Sequence, residues 1–246
     1  MSNLHSKSNP LTTKEMGTTA KTQVHNVIIL DRSGSMNSIK TAAMKGCNEV
    51  ISSVREAKKE YSETMDQKIS LILFDSQSID TLAWDSDPEK TPLLTPATYI
   101  PGACTPLYDA IGITLSRLEK QIETDGMDHS VIVTIITDGY ENASIEYTGA
   151  MVKQLIDRLT EKGWSFAYMG ADHDVEAVSA SISITNTFTF DKSTVGAQAM
   201  FEKDMDAKRR YWEKLDRENR MYPHMSREER REKYKVFSKE YFDDKL

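Results

Sequence analysis

Four short runs in this chain are almost continuously apolar: Val27 to Leu30 (VIIL), Lys68 to Phe74 (KISLILF), Val131 to Ile136 (VIVTII) and Trp164 to Met169 (WSFAYM). A strand with one wet face alternates polar and apolar residues, so unbroken runs rich in β-branched residues predict strands covered on both faces. Thr187 to Phe190 reads as a last, weaker strand. Helices on both sides of a sheet are what cover two faces at once.

The segments between the runs supply those helices. Ile39, Ala43, Cys47, Val50, Ile51 and Val54 fall on one helical face, as do Leu107, Ile111, Leu115, Leu118 and Ile122. A third helix over Ala150 to Leu159 is closed by Lys162 and Gly163, a basic residue and a glycine at the expected stop. Strands alternating with helices imply right-handed crossovers. The expected fold class is therefore α/β: a doubly wound, mostly parallel central sheet flanked by helices over residues 25–192, followed by a C-terminal helical extension.

Residues 1–24 read as a flexible polar leader, without the apolar centre of a secretory signal. No stretch approaches the roughly 20 apolar residues of a membrane span, so no membrane partner is expected. Cys47 and Cys104 are the only cysteines among 246 residues, too few for an oxidised framework, which makes a reducing cytoplasm the expected location.

The net charge of −7 is uneven. From Glu202 onward there are 14 Lys and Arg against 12 Asp and Glu, which leaves the preceding part at about −9. An acidic body is a poor nucleic-acid surface, because phosphate binding needs concentrated Lys and Arg. Metal or cationic partners suit it better.

Residues 193–246 form the charged extension. Phe201, Met205, Trp212 and Leu215 make one helical stripe, Met221 to Met225 (MYPHM) interrupts it, Ser226 and Glu229 form a capping box, and Tyr234, Phe237 and Tyr241 recur at helical spacing. Two helices joined by a proline turn follow from this pattern. Their aromatic stripes either dock back on the α/β domain or offer a face to the same or another protein partner. The KRRYW and REERREKYK runs interleave acids as densely as bases and read as a solvated mixed-charge face, so no nucleic-acid partner is expected.

Parallel sheets bind ligands at the carboxyl ends of their strands. IILDRSGSMNS, from Ile28, places Asp31, Ser33 and Ser35 at one such end; ITDGYENAS places Asp138 at another; and the long Pro- and Thr-rich loop from Thr91 to Pro106 delivers Thr105 just before a helix. Two carboxylates and three hydroxyls, with no cysteine or histidine, are hard oxygen ligands suited to Mg²⁺, with Mn²⁺ or Ca²⁺ as alternatives, and unsuited to zinc or copper. Two carboxylates neutralise a divalent ion without saturating it. Neutral hydroxyls then leave it electrophilic, with room for an Asp or Glu of a partner.

Other residues invite a second reading. Asp109 is a possible second-shell acceptor or a first-turn acid favoured by the helix dipole. Glu141 either orients a metal-bound water or is a solvated loop acid. Asp75 and Ser76 read as a turn or as the edge of the site. His173, between Asp172 and Asp174, has no second His or Cys, so helix capping is the better account of MGADHD.

DRSGS, CTPLYDAIG and ITDGYENAS together resemble the von Willebrand factor A domain, whose metal ion-dependent adhesion site joins a DxSxS loop to a threonine from a second loop and an aspartate from a third. The resemblance covers residues 24–192, and all five motif positions are present. It implies direct coordination by Ser33, Ser35 and Thr105, with Asp31 and Asp138 acting directly or through water. It further implies a soluble prokaryotic or phage type: a divalent-metal-dependent module that holds an acidic residue of a partner protein, within a stress- or defence-type assembly. An enzyme is not expected, since no Walker lysine, second acid cluster, base or nucleophile accompanies the site. The competing functions are a Mg²⁺-dependent phosphate hydrolase and a structural scaffold whose metal braces three loops.

Overall fold

The computed structural model describes residues 21–171 and 175–242. Six strands form one sheet in the order β3-β2-β1-β4-β5-β6: β1 (Thr22–Asp31), β2 (Met65–Asp75), β3 (Ser78–Ser86), β4 (His129–Thr137), β5 (Ser165–Ala171) and β6 (Asn186–Phe190). All neighbours are parallel except β2 and β3, an antiparallel hairpin at the edge. β1 starts at Thr22, inside the stretch read as leader. Residues 1–20 lie outside the described residues, as do 172–174 with His173, Asp172 and Asp174.

The expected doubly wound α/β fold is the observed one. Along β1 the side chains alternate between two cores, Val24, Ile28 and Leu30 on one side of the sheet and Val27 and Ile29 on the other. This explains the unbroken apolar run. The first core is covered by α1 (Lys40–Glu60), α5 (Thr194–Met221) and α6 (Arg227–Lys239); the second by α2 (Leu107–Ile122), α3 (Gly149–Glu161) and α4 (Val175–Ser181). Cys47 is buried and Cys104 exposed, both as free thiols. Among the described residues no helix is long and apolar enough to cross a membrane.

β3 was not anticipated, and its composition says why. SIDTLAWDS lies at the sheet edge, where only Ala83 is buried, so it carries no continuous apolar run. Asp75 makes the turn before it, accepting the backbone N–H groups of Gln77 (2.8 Å) and Ser78 (3.1 Å). That is the turn reading of Asp75.

The C-terminal helices pack against the sheet. Phe201, Trp212, Leu215, Tyr234 and Tyr241 are buried in the same core as β1 and α1. Gly46 of α1 is needed for this contact, because a Cβ there would stand 2.1 Å from the Phe201 ring. Gly163 closes α3 at φ +86°, and a Cβ on it would come within 3.1 Å of Arg231 O and Tyr234 Cβ of α6. Tyr234 donates to Asp128 (2.8 Å), and Asn186 donates to the carbonyl of Ser238 (2.8 Å).

A buried ion pair lies beneath α5. Lys208 Nζ donates to both oxygens of Asp204 (2.6 and 2.5 Å) and to Thr134 Oγ1 of β4 (2.6 Å), while Tyr241 donates to Asp204 (3.1 Å). Burial pushes the Lys208 ammonium below its usual range, with Asp204 acting against that shift. Removing one partner strands the other charge in the core. Asp204→Ala is expected to cost about 3–5 kcal/mol in urea unfolding, and Asp204→Leu with Lys208→Met to recover most of that loss.

Candidate metal centre

β1 and β4 run side by side with Leu30 opposite Ile136, so Asp31 and Thr137 end their strands together. Asp31 is buried. Its Oδ1 accepts the Ser33 N–H (2.6 Å), its Oδ2 accepts the Thr137 hydroxyl (2.6 Å), and its carbonyl accepts the Tyr99 hydroxyl (2.8 Å). The Ser33 N–H bond turns the chain sharply into the short 3₁₀ helix Gly34–Ile39. Ser33 and Ser35 are thereby brought to the same spot, with their hydroxyls 3.1 Å apart.

Ser35 Oγ donates to Asp138 Oδ1 at 2.5 Å, joining the DRSGS turn to the end of β4. A Cβ placed on Gly139 would stand 3.6 Å from Ser35 Oγ and 3.9 Å from Thr105 Oγ1, so both hydroxyls lie against the same side of this turn. Asp31, Ser33, Thr105 and Asp138 are buried, and Ser35 is exposed. The structure thus brings all five residues to one strand-end crevice.

Thr105 is held by loops that fasten to each other. Gly34 N–H donates to Ala103 O (3.1 Å), Gly102 N–H to Arg32 O (2.9 Å), and Ser76 N–H to Cys104 O (3.0 Å). Asn142 clasps Thr105 at both ends of its peptide unit, its side chain accepting the Thr105 N–H (2.8 Å) and its own N–H donating to Thr105 O (3.1 Å). Asn142 was not singled out from sequence; a lone Asn in a loop carries no pattern. Arg32 is committed elsewhere, bonding Asp75 (2.7 Å), Asp80 (2.8 Å) and Ser78 (2.9 Å) of the β2–β3 hairpin.

Asp109 and Glu141 brace this framework. Asp109 accepts the N–H groups of Ile145, Glu146 and Tyr147 (2.8, 2.9 and 2.6 Å). Glu141 accepts from Tyr108 N–H (2.9 Å), Ala143 N–H (2.8 Å), Ser144 N–H (2.7 Å) and Ser144 Oγ (2.7 Å). Asp109 does stand in the first turn of α2, as the dipole reading expects, and its carboxylate also faces three loop amides there; Glu141 is half-buried and fully engaged, so the solvated loop acid does not describe it. Each ties the β4–α3 loop to itself or to the start of α2.

Does the crevice fit a divalent cation? Asp138 Oδ2 is buried and makes no hydrogen bond, and Lys192 Nζ lies 2.8 Å away as its ion-pair partner. A buried carboxylate oxygen without a hydrogen bond is costly unless a cation faces it; Lys192 is one such cation, and a divalent ion in the crevice would be another. The donor set is two carboxylates and three hydroxyls; among the described residues no group of three or more His, Cys, Asp and Glu gathers at one point. Hard oxygen donors of this kind fit Mg²⁺, Mn²⁺ or Ca²⁺.

No family model and no curated protein sequence matches this chain. Solved structures do resemble it. A von Willebrand factor type A protein from Catenulispora acidiphila aligns with 75% of this chain and 42% of its own at 12% identity and a TM-score of 0.51. The SpRpn10 VWA domain aligns with 76% of this chain and 95% of its own at 10% identity and a TM-score of 0.50. Proximal thread matrix protein 1 from the mussel byssus gives 76%, 46%, 14% and 0.50 in the same order. The chain thus spans less than half the length of two of these proteins, and the likeness is one of fold.

Burial, opposed by the Thr137 and Ser33 hydrogen bonds and aided by the nearby Asp138, pushes the Asp31 carboxyl up to about 6. A folded-state value above the unfolded one means that the contribution of Asp31 to stability is fully present below about pH 4 and is lost as pH rises through about 6. In EDTA, Asp31→Asn should therefore flatten the stability–pH profile, gaining up to about 3 kcal/mol over the parent at pH 7 and nothing at pH 4. Urea unfolding at both pH values measures this, and an equal gain at both would refute it.

Proposed function

We propose that this chain, an α/β sheet protein with the fold of von Willebrand factor A domains, is a divalent-metal-dependent protein-interaction module. The observation that carries the reading is the convergence of Asp31, Ser33, Ser35, Thr105 and Asp138 where the β1 and β4 chains part, with one buried carboxylate oxygen lacking a hydrogen bond. The five side chains would hold Mg²⁺, or Mn²⁺ or Ca²⁺ in its place. Held there, the ion would supply a partly neutralised positive centre to which a carboxylate of a partner's Asp or Glu could bind.

The chain's own residues account for the rest. Asp31 and Asp138 provide charge, while the hydroxyls of Ser33, Ser35 and Thr105 provide donor oxygens without adding more. Asp109, Glu141, Asn142 and Tyr99 keep the three loops in register, so little ordering has to occur when a partner arrives. Exposed Ser35 marks the side open to that partner.

A binding role is preferred to hydrolysis because the Ser33 and Ser35 hydroxyls bond each other and Ser35 bonds Asp138; among the described residues neither bonds a histidine that would activate it. We place the module in the cytoplasm, in a bacterial or phage assembly of the stress or defence type. This extends the resemblance of its motifs and agrees with two free cysteines.

Immobilised chain in Mg²⁺ is expected to retain a protein from its native extract, and to release it with EDTA. Ser33→Ala should abolish retention while leaving the circular dichroism spectrum unchanged. Retention indifferent to both treatments would sink the reading, and phosphatase turnover dependent on Asp31 would replace it with an enzyme.

A further inference from the structure

Lys192 lies in the short connection between β6 and α5, immediately before Ser193, whose side chain caps α5 by accepting the Gly196 N–H at 3.0 Å. Its Nζ stands 2.8 Å from Asp138 Oδ2, with the lysine side chain 22% exposed and the aspartate 0%. The other oxygen of that carboxylate is taken by Ser35. Lys192 therefore brings a positive charge, from a fourth segment of the chain, to the one carboxylate oxygen of the crevice that makes no hydrogen bond.

We propose that Lys192 is a tethered cation that competes with the divalent ion for Asp138, and so sets the metal concentration at which the site fills. The inference rests on the metal-binding reading above. Two positive centres cannot share one buried carboxylate oxygen without strong mutual repulsion at such short range. A lysine suits temporary occupancy, being a compact charge on a flexible stem that reaches the crevice from its partly exposed position and can swing back to water. Because the ammonium is part of the chain, its effective concentration at Asp138 is high and independent of the medium. The metal, in contrast, competes through its own concentration.

This arrangement serves two ends. Without metal, the ammonium offsets part of the cost of burying Asp138 beside Asp31, so the empty site keeps its shape. When the metal enters, the lysine is released just ahead of the N-cap of α5, the helix that covers the first core. Filling of the site is thereby reported at a second place on the surface.

Calorimetric titration of Mg²⁺ into the full chain tests the idea on the parent, Lys192→Met and Lys192→Arg. Lys192→Met is expected to bind Mg²⁺ on the order of tenfold more tightly than the parent, with Lys192→Arg close to the parent. In parallel, acetic anhydride labelling of the parent at fixed pH, read by mass spectrometry, should show Lys192 modified more when Mg²⁺ is present, with exposed Lys59 as the unchanging reference. Parent-like affinity in Lys192→Met, or labelling of Lys192 that ignores Mg²⁺, overturns the competition and leaves the metal reading standing. No Mg²⁺ binding by parent or variant overturns both.

Discussion

The strands β1 and β4 are hydrogen-bonded neighbours, yet the chains that leave them go to opposite faces of the sheet: α1 covers one core and α3 the other. This parting opens a crevice at their carboxyl ends, and the backbone there has no choice but to turn away on both sides. The 2.6 Å bond from Thr137 to Asp31 is the tie across it. The remaining features of the site attach to that tie. DRSGS turns on the first oxygen of Asp31, Asp138 follows Thr137 directly, and Tyr99 anchors the third loop to the Asp31 carbonyl.

Electrostatics then explain the choice of side chains. Burial, with the neighbouring Asp138 adding to it, already pushes Asp31 above the usual carboxylate range. A third or fourth carboxylate at Ser33 or Ser35 would add desolvation and repulsion that the fold would have to offset at all times, with or without a cation. Hydroxyls donate to their neighbours when alone and offer lone pairs to a cation, which suits both conditions. The acids that surround the crevice are directed elsewhere: Asp109 and Glu141 spend seven acceptor contacts on the N–H and O–H groups of nearby loops. They support the loops that build the site.

Much of this was legible beforehand for a simple reason. Strands buried on both faces must be apolar at every position, and the crevice residues sit at the ends of such strands, so VIIL and VIVTII located Asp31 and Asp138 together. β3 escaped because an edge strand need not be apolar. The stripes of α5 and α6 announced amphipathic helices, but a stripe says nothing of what it packs against; Gly46, the residue that admits Phe201, lies some 155 positions away in the sequence. The bracing roles of Asp109 and Glu141 were equally hidden, since an acid in a first helical turn looks the same whether it faces water or three backbone amides. Lys192 carried no local signal at all. Its significance comes from a contact across 54 residues.

The covering of the sheet by α5 and α6 also bears on how the molecule is made. Among the described residues every strand precedes these helices in the chain, so during synthesis one face of the sheet, including Ile28, Leu30 and Ile136, has α1 alone of these helices to shelter it. Growing at about 5–20 residues per second, the chain holds that apolar surface open for several seconds before Phe201, Trp212 and Tyr234 emerge to close it. Folding of this protein is thus completed from its C-terminal side. A chain that has emerged only as far as β6 displays the crevice on a half-covered sheet, a form more suited to chaperones than to partners.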